Sequence, residues 1–230
     1  HPETWRRRFL QDEQGTILKD APLRIGLCYP NPYRVAMSSL GYQVVYRTIN
    51  ERPGMSAERV VMPDDEAHWR KRKWAPISLE TGRPLSAFDV LAFSVTFDLD
   101  IPGFFSLLEM AGIPPLRDAR RANHPPIILG GPLTASNPLP FGPFIDCCVV
   151  GDAERALPRL LEAIENAQDR EDLHQRAASI EGVWVPAIHG DALPATQKVT
   201  EGLPAFGQIT TPHAELSNMF LVEPSRGCPR

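Results

Sequence analysis

Between residues 20 and 168, short apolar runs that fit single strands alternate with longer stretches of helical periodicity, and few folds tolerate that order. A strand that is apolar on both faces has to be covered on both, and a parallel sheet flanked by helices provides the cover. The runs are Leu23-Arg24-Ile25-Gly26-Leu27-Cys28, Arg59-Val60-Val61-Met62, Asp89-Val90-Leu91-Ala92-Phe93-Ser94, Pro126-Ile127-Ile128-Leu129-Gly130 and Asp146-Cys147-Cys148-Val149-Val150. Between the first two, residues 37–50 read as a helix with Met37, Leu40, Val44 and Thr48 on one face. Another helix opens near Pro102 and stops before Gly112. A further one runs from Asp152, read as its N-cap, through Leu157, Leu160, Leu161 and Ile164. The expected fold is α/β: a doubly wound, flavodoxin-like, five-stranded parallel sheet in the order 2-1-3-4-5, with room for an added edge strand.

Such sheets bind ligands at the carboxyl ends of their strands. That rule selects four loops here: residues 29–36, 95–101, 131–136 and 151–154. Gly130-Gly131 lets a backbone approach a ligand closely, or merely permits a tight turn. Ser94 and Thr96 offer ligand hydroxyls or caps for the next helix. Gly151-Asp152-Ala153-Glu154 reads as a helix start with acidic first-turn residues, or as part of a site. A dinucleotide fingerprint is missing, because no G-x-G-x-x-G follows the first strand.

Composition narrows the function classes. The net charge is -4 over 230 residues, which offers no broad basic surface for nucleic acid or anionic lipid. The basic stretch His68-Trp69-Arg70-Lys71-Arg72-Lys73-Trp74 reads as a solvated face. No apolar run reaches the ~20 residues that cross a bilayer, and no signal peptide opens the sequence. There are 24 prolines, roughly twice the usual ~5%, so rigid loops are expected. The four cysteines do not form a disulfide framework; Cys147 and Cys148 are neighbours whose side chains face opposite sides of a strand. Buried thiols in a cytoplasmic protein fit this pattern. The six histidines lack metal-ligand spacing, and His124 and His213 read as surface residues.

The C-terminal residues carry the most specific signal. The apolar run Phe220-Leu221-Val222 fits a strand, and it leads into Glu223-Pro224-Ser225-Arg226-Gly227-Cys228-Pro229-Arg230. This run resembles the start of the cluster loop of radical S-adenosylmethionine (radical SAM) enzymes, in which Ser-Arg-Gly-Cys leads into Cys-x-x-x-Cys-x-x-Cys. Three thiolates of that loop hold a four-iron, four-sulfur cluster, and S-adenosylmethionine occupies the fourth iron. The resemblance makes Cys228 the metal-ligating residue of this chain. The sequence is then expected to be a piece of a longer protein, inactive by itself, whose radical SAM barrel lies outside it.

A second resemblance concerns the sheet. Leu129-Gly130-Gly131-Pro132-Leu133-Thr134-Ala135-Ser136 is similar to the Gly-Gly loop of cobalamin-binding domains, and Ser94-Val95-Thr96 falls at their Ser loop. The Asp-x-His-x-x-Gly signature would fall on Asn31-Pro32-Tyr33-Arg34-Val35-Ala36, where Asp, His and Gly are all replaced. Tyr33 therefore stands where the cobalt-ligating His belongs. The resemblance implies a cobalamin site at Tyr33, Ser94, Thr96, Gly130, Gly131, Thr134 and Gly151, without a protein imidazole on cobalt.

The expected organisation is an N-terminal extension over residues 1–20, a cobalamin-binding-like domain over 21–178, a linker over 179–216 and the start of a radical SAM domain over 217–230. Two functions stay open. One is a cobalamin-binding-like module of a radical SAM enzyme that cleaves S-adenosylmethionine to a 5′-deoxyadenosyl radical. The other is a degenerate cobalamin-type fold that recruits a substrate or partner without cobalamin.

Overall fold

The computed structural model describes residues 1–199 and 202–227. The chain opens with α1 (Pro2–Leu10), β1 (Leu23–Pro32), the one-turn α2 (Tyr33–Ala36), α3 (Leu40–Glu51) and β2 (Met55–Met62). It continues through α4 (Glu66–Arg72), β3 (Val90–Ser94), α5 (Ile101–Met110), β4 (Ile127–Gly130), β5 (Cys147–Val149), α6 (Ala156–Asn166) and α7 (Arg170–Ala178). The remainder carries β6 (Val183–Trp184), α8 (Pro186–His189), β7 (Ala205–Phe206) and β8 (Val222–Glu223).

Among the described residues, the main sheet has six strands in the order β2-β1-β3-β4-β5-β6. The first five are parallel, and β6 pairs antiparallel with β5 through Cys148↔Trp184 and Val149↔Val183. The expected five strands thus become six. Val183-Trp184 lay within the expected linker, yet it covers the free edge of β5 and buries Trp184 to 1% exposure. Two residues of strand carry no signal of their pairing partner. The sheet's two faces have separate cores. Ile25, Leu27, Tyr29, Ile49, Cys147 and Leu160 lie in one; Cys28, Phe93, Phe104, Leu129 and Cys148 lie in the other. Cys147 and Cys148 do face opposite sides. Burial pushes all three described thiols, Cys28, Cys147 and Cys148, up in pKa.

β2 lies at the sheet edge but is buried along its whole length, although it carries Glu58 and Arg59. An unpaired strand edge invites association with other chains. The turn at residues 76–84 covers this one: Leu79 N–H donates to the Arg59 carbonyl at 2.8 Å, and Glu80 Oε2 accepts from Arg59 N–H at 2.6 Å. Ser78 and Thr81 hydroxyls donate to Glu58 at 2.6 and 2.5 Å.

The expected helix over residues 37–50 starts only at Leu40, as α3, and residues 37–39 are a turn after α2. Ser39 sets that start by capping α3 through Tyr42 N–H. The buried face of α3 is Tyr42, Gln43, Tyr46, Ile49 and Asn50, rotated away from Leu40, Val44 and Thr48. Counting apolar residues alone misplaced it, because these polar groups bury with partners. Tyr42 donates to Leu27 O at 2.7 Å, and Asn50 bonds both the carbonyl and the N–H of Ala57 at 3.1 and 3.0 Å. The start of α6 also moves. Arg155 occupies the N-cap position, and Asp152 caps no helix. The basic stretch folds as α4, burying Trp69 and leaving Arg72 and Lys73 in solvent.

Candidate functional site at the carboxyl edge of the sheet

Tyr33 turns away from any open edge. Its ring is fully buried and stacked on Phe9 of α1, with centroids 3.9 Å apart and planes at 8°. Its hydroxyl donates to Glu13. Glu13 takes both terminal nitrogens of Arg59 at 2.8 and 2.7 Å, and Arg59 Nε donates to Glu80 at 2.6 Å. The Arg59 and Glu13 side chains are completely buried, and Glu80 nearly so. Burial raises the affinity of Glu13 for a proton, but the Arg59 charge and its hydrogen bonds outweigh it and hold the carboxyl below its ordinary value. At Glu80 burial wins over Arg59, and the carboxyl stays above that value. Sequence reasoning missed this cluster. Its signal was the Glu58-Arg59 charge pair inside an otherwise apolar strand.

The loop after β3 closes on itself. Asp100 Oδ2 accepts from Thr96 and Phe97 N–H at 2.7 and 3.1 Å, while Oδ1 accepts from Asn31 at 2.7 Å. Thr96 Oγ1 shares a 2.9 Å hydrogen bond with the Tyr29 hydroxyl. Ser94 ends β3 opposite Gly130, half-buried. Phe97 and Leu99 project outward, 67% and 89% exposed.

Gly130 has open space where a side chain would start, but Gly131 does not. With φ at +100°, a Cβ on Gly131 would lie 2.5 Å from the Val95 carbonyl oxygen. Its glycine is required by the neighbouring loop of its own chain. Thr134 Oγ1 donates to Gly131 O at 2.8 Å and accepts from Gly151 N–H at 3.2 Å, so it joins the loops after β4 and β5. Gly151 repeats the pattern: φ is +90°, and a Cβ would meet the Gln197 carbonyl at 2.4 Å. Gln197 N–H donates to Val150 O at 2.9 Å, and Asp152 N–H returns to Gln197 O at 3.0 Å.

The expected site residues therefore divide. Gly131, Thr134 and Gly151 form one connected set, Thr96 joins Tyr29, and Tyr33 belongs to the ion cluster under α1. Later residues lie along the same edge. Ile209 N–H donates to Gln43 Oε1 at 2.7 Å, Thr210 and Gln14 exchange backbone hydrogen bonds, and Arg34 pairs with Glu215. β7 and β8 then form an antiparallel ribbon, placing the expected strand 220–222 at Val222–Glu223.

Arg226 ends this path. It reaches Glu223 through two nitrogens at 2.9 and 2.8 Å, Glu154 at 2.7 Å, Asp152 at 3.2 Å and Val199 O at 3.2 Å. Asp152 Oδ2 also accepts from Val199 N–H at 2.8 Å. The Arg226 hydrogen bond holds the Glu223 carboxyl below its ordinary value. Gly227 follows with φ at +85°, and Cys228 lies outside the described residues. Among the described residues, no three His, Cys, Asp or Glu side chains could hold a metal ion, and no helix is long and apolar enough to cross a membrane.

No curated protein and no solved structure matches this chain. The sequence profile of radical SAM proteins, N-terminal, matches residues 41–186. That segment contains β2 through β6 and the loops after β3, β4 and β5. It is more than half of the 230 residues, so the chain belongs to the N-terminal family of radical SAM proteins.

Proposed function

We propose that this chain is the N-terminal α/β part of a radical SAM enzyme, and that Cys228 is the first thiolate on its four-iron, four-sulfur cluster. The observation that carries the reading is the family match over residues 41–186, joined to Ser225-Arg226-Gly227-Cys228 at the end of the same chain. When bound, the cluster and S-adenosylmethionine supply reductive cleavage to a 5′-deoxyadenosyl radical. The described residues do not hold a cluster by themselves. Cys28, Cys147 and Cys148 are free, buried in the sheet and pushed toward the neutral thiol, whereas a cluster takes thiolates from an accessible loop. This chain's contribution is a platform whose carboxyl edge carries the path to Cys228. Three free buried thiols also suit a reducing compartment such as the cytoplasm.

For cobalamin the second reading is favoured. The ring of Tyr33 is sealed under Phe9. The space beside Gly131 and Gly151 is filled by Val95 and Gln197 backbone. These residues do not fit a cofactor laid along the edge; of Gly130, Gly131 and Gly151, only Gly130 has open space beside it. A cobalamin-type fold that serves as a scaffold, without the cofactor, accounts for both the retained glycines and the lost Asp, His and Gly.

The test is reconstitution of the natural polypeptide that contains this sequence, with iron and sulfide under anaerobic conditions. About four irons per chain and a brown chromophore are expected. A folded protein that takes up no iron would overturn the proposal.

A further inference from the structure

Arg226 stands out among the ion pairs of this protein. Surface pairs of Arg and carboxylate contribute ~0–1 kcal/mol at most sites, because both partners are solvated and must be ordered. Here a single guanidinium meets three carboxylates and one backbone carbonyl, which come from three separate segments: the loop after β5 (Asp152, Glu154), the Val199 backbone and β8 (Glu223). Its side chain is only 26% exposed. A planar guanidinium can serve several acceptors at once from fixed directions, which an ammonium cannot.

Two of the carboxylates are also held by contacts other than Arg226. Asp152 is held by Val199 N–H, and its own N–H is taken by Gln197 O, so the loop after β5 is already tied to the segment crossing it. Glu223 lies in β8, paired with Ala205. Arg226 closes the set, and the next residues are Gly227 and Cys228. In the sequence, Asp152 and Glu154 read as a helix start or as part of a site, and Arg226 belongs to the run that resembles a cluster loop. The structure joins them.

We infer that Arg226 is a positioning residue that clamps the turn before Cys228 onto the Asp152–Glu154 loop, so that the α/β domain fixes where the first cluster thiolate enters. The cluster clause rests on the radical SAM reading; the clamp does not.

Two measurements separate the clauses. Hydrogen exchange on the 230-residue chain compares wild type with Arg226→Ala, Arg226→Lys and the pair Asp152→Asn/Glu154→Gln. Exchange over residues 205–207 and 220–227 is expected to quicken roughly tenfold in Arg226→Ala and in the pair, and less in Arg226→Lys, while β1 amides keep their protection. Unchanged exchange across 220–227 in both variants, with β1 protected, would overturn the clamp. The second measurement uses the reconstituted natural polypeptide. Arg226→Ala is expected to keep wild-type iron content but to lose the change that S-adenosylmethionine makes in the spin-resonance spectrum of the reduced cluster. A wild-type spectral response in that variant would overturn the positioning role. A wild-type protein without iron would remove the radical SAM reading, and that role with it, while the exchange result still reports on the clamp.

Discussion

Replacing Arg59 with Met tests the buried cluster that seals the sheet edge under α1. The change keeps most of the side-chain length but leaves Glu13 and Glu80 without their shared cation. Breaking a buried ion pair by removing one partner costs ~3–5 kcal/mol, against a total stability of ~5–15 kcal/mol for a domain. The loss should depend on pH. In wild type, the lowered Glu13 pKa contributes stability above the ordinary carboxylate value of ~4.3, and that contribution disappears as pH falls through the folded value. Without the Arg59 guanidinium, burial is expected to outweigh the hydrogen bonds that remain, from Tyr33 and Thr16 to Glu13 and from the residue-59 N–H to Glu80, and to raise both carboxylates above the unfolded value. The folded variant then binds more protons than the unfolded chain, so its stability rises as pH falls. The gap from wild type should be widest near neutrality and should narrow toward about pH 5. Urea unfolding at several pH values, with the slope unchanged, measures it. The triple variant Arg59→Met/Glu13→Gln/Glu80→Gln should recover at least half of the loss, since no uncompensated charge stays buried. A loss below ~1 kcal/mol for Arg59→Met, or a gap that widens in acid, would refute the reasoning.

Other outcomes follow from the closed edge. Gly131→Val puts a side chain against Val95 backbone at a φ of +100°, and should cost ~2–4 kcal/mol in urea unfolding, whereas Gly130→Ala, with open space, should cost under ~1 kcal/mol. Hydroxocobalamin mixed with the folded chain at about tens of micromolar, the weaker end of specific binding, should not co-elute on gel filtration. A retained red band with a shifted visible spectrum would restore the cobalamin reading.

The parallel part of the sheet was legible because each strand contains a short apolar run, and strand–helix alternation with right-handed crossovers leaves few orders besides 2-1-3-4-5. Val183-Trp184-Val185 also reads as a short apolar strand, and β6 forms at Val183–Trp184, but its pairing with β5 was not legible, since such a strand looks the same in a linker as at a sheet edge. The face of α3 was misread because Tyr42, Gln43 and Asn50 bury polar groups that a count of apolar residues passes over. Gly131 reads in the sequence as a close approach to a ligand or a tight turn, and Gly151 as part of a helix start or a site, but sequence cannot say what lies against either glycine. In the structure it is Val95 and Gln197 of the same chain. Tyr33 falls where the resemblance puts a cobalt ligand, but its partners Phe9 and Glu13, and Arg59 beyond Glu13, are distant along the chain. The ion pairs of Arg226 cross from residue 226 to residues 152 and 154, a separation that no local pattern marks.

The most direct measurement is the yield of 5′-deoxyadenosine from S-adenosylmethionine, on reduction of the reconstituted natural polypeptide, with and without Cys228→Ala. The wild-type protein should release 5′-deoxyadenosine, and the variant should lose both this product and the cluster's visible absorbance while its α/β domain unfolds at the same urea concentration. A Cys228→Ala protein with full iron content and undiminished 5′-deoxyadenosine would contradict the assignment of Cys228, and with it the reading of this domain as the platform for a cluster loop.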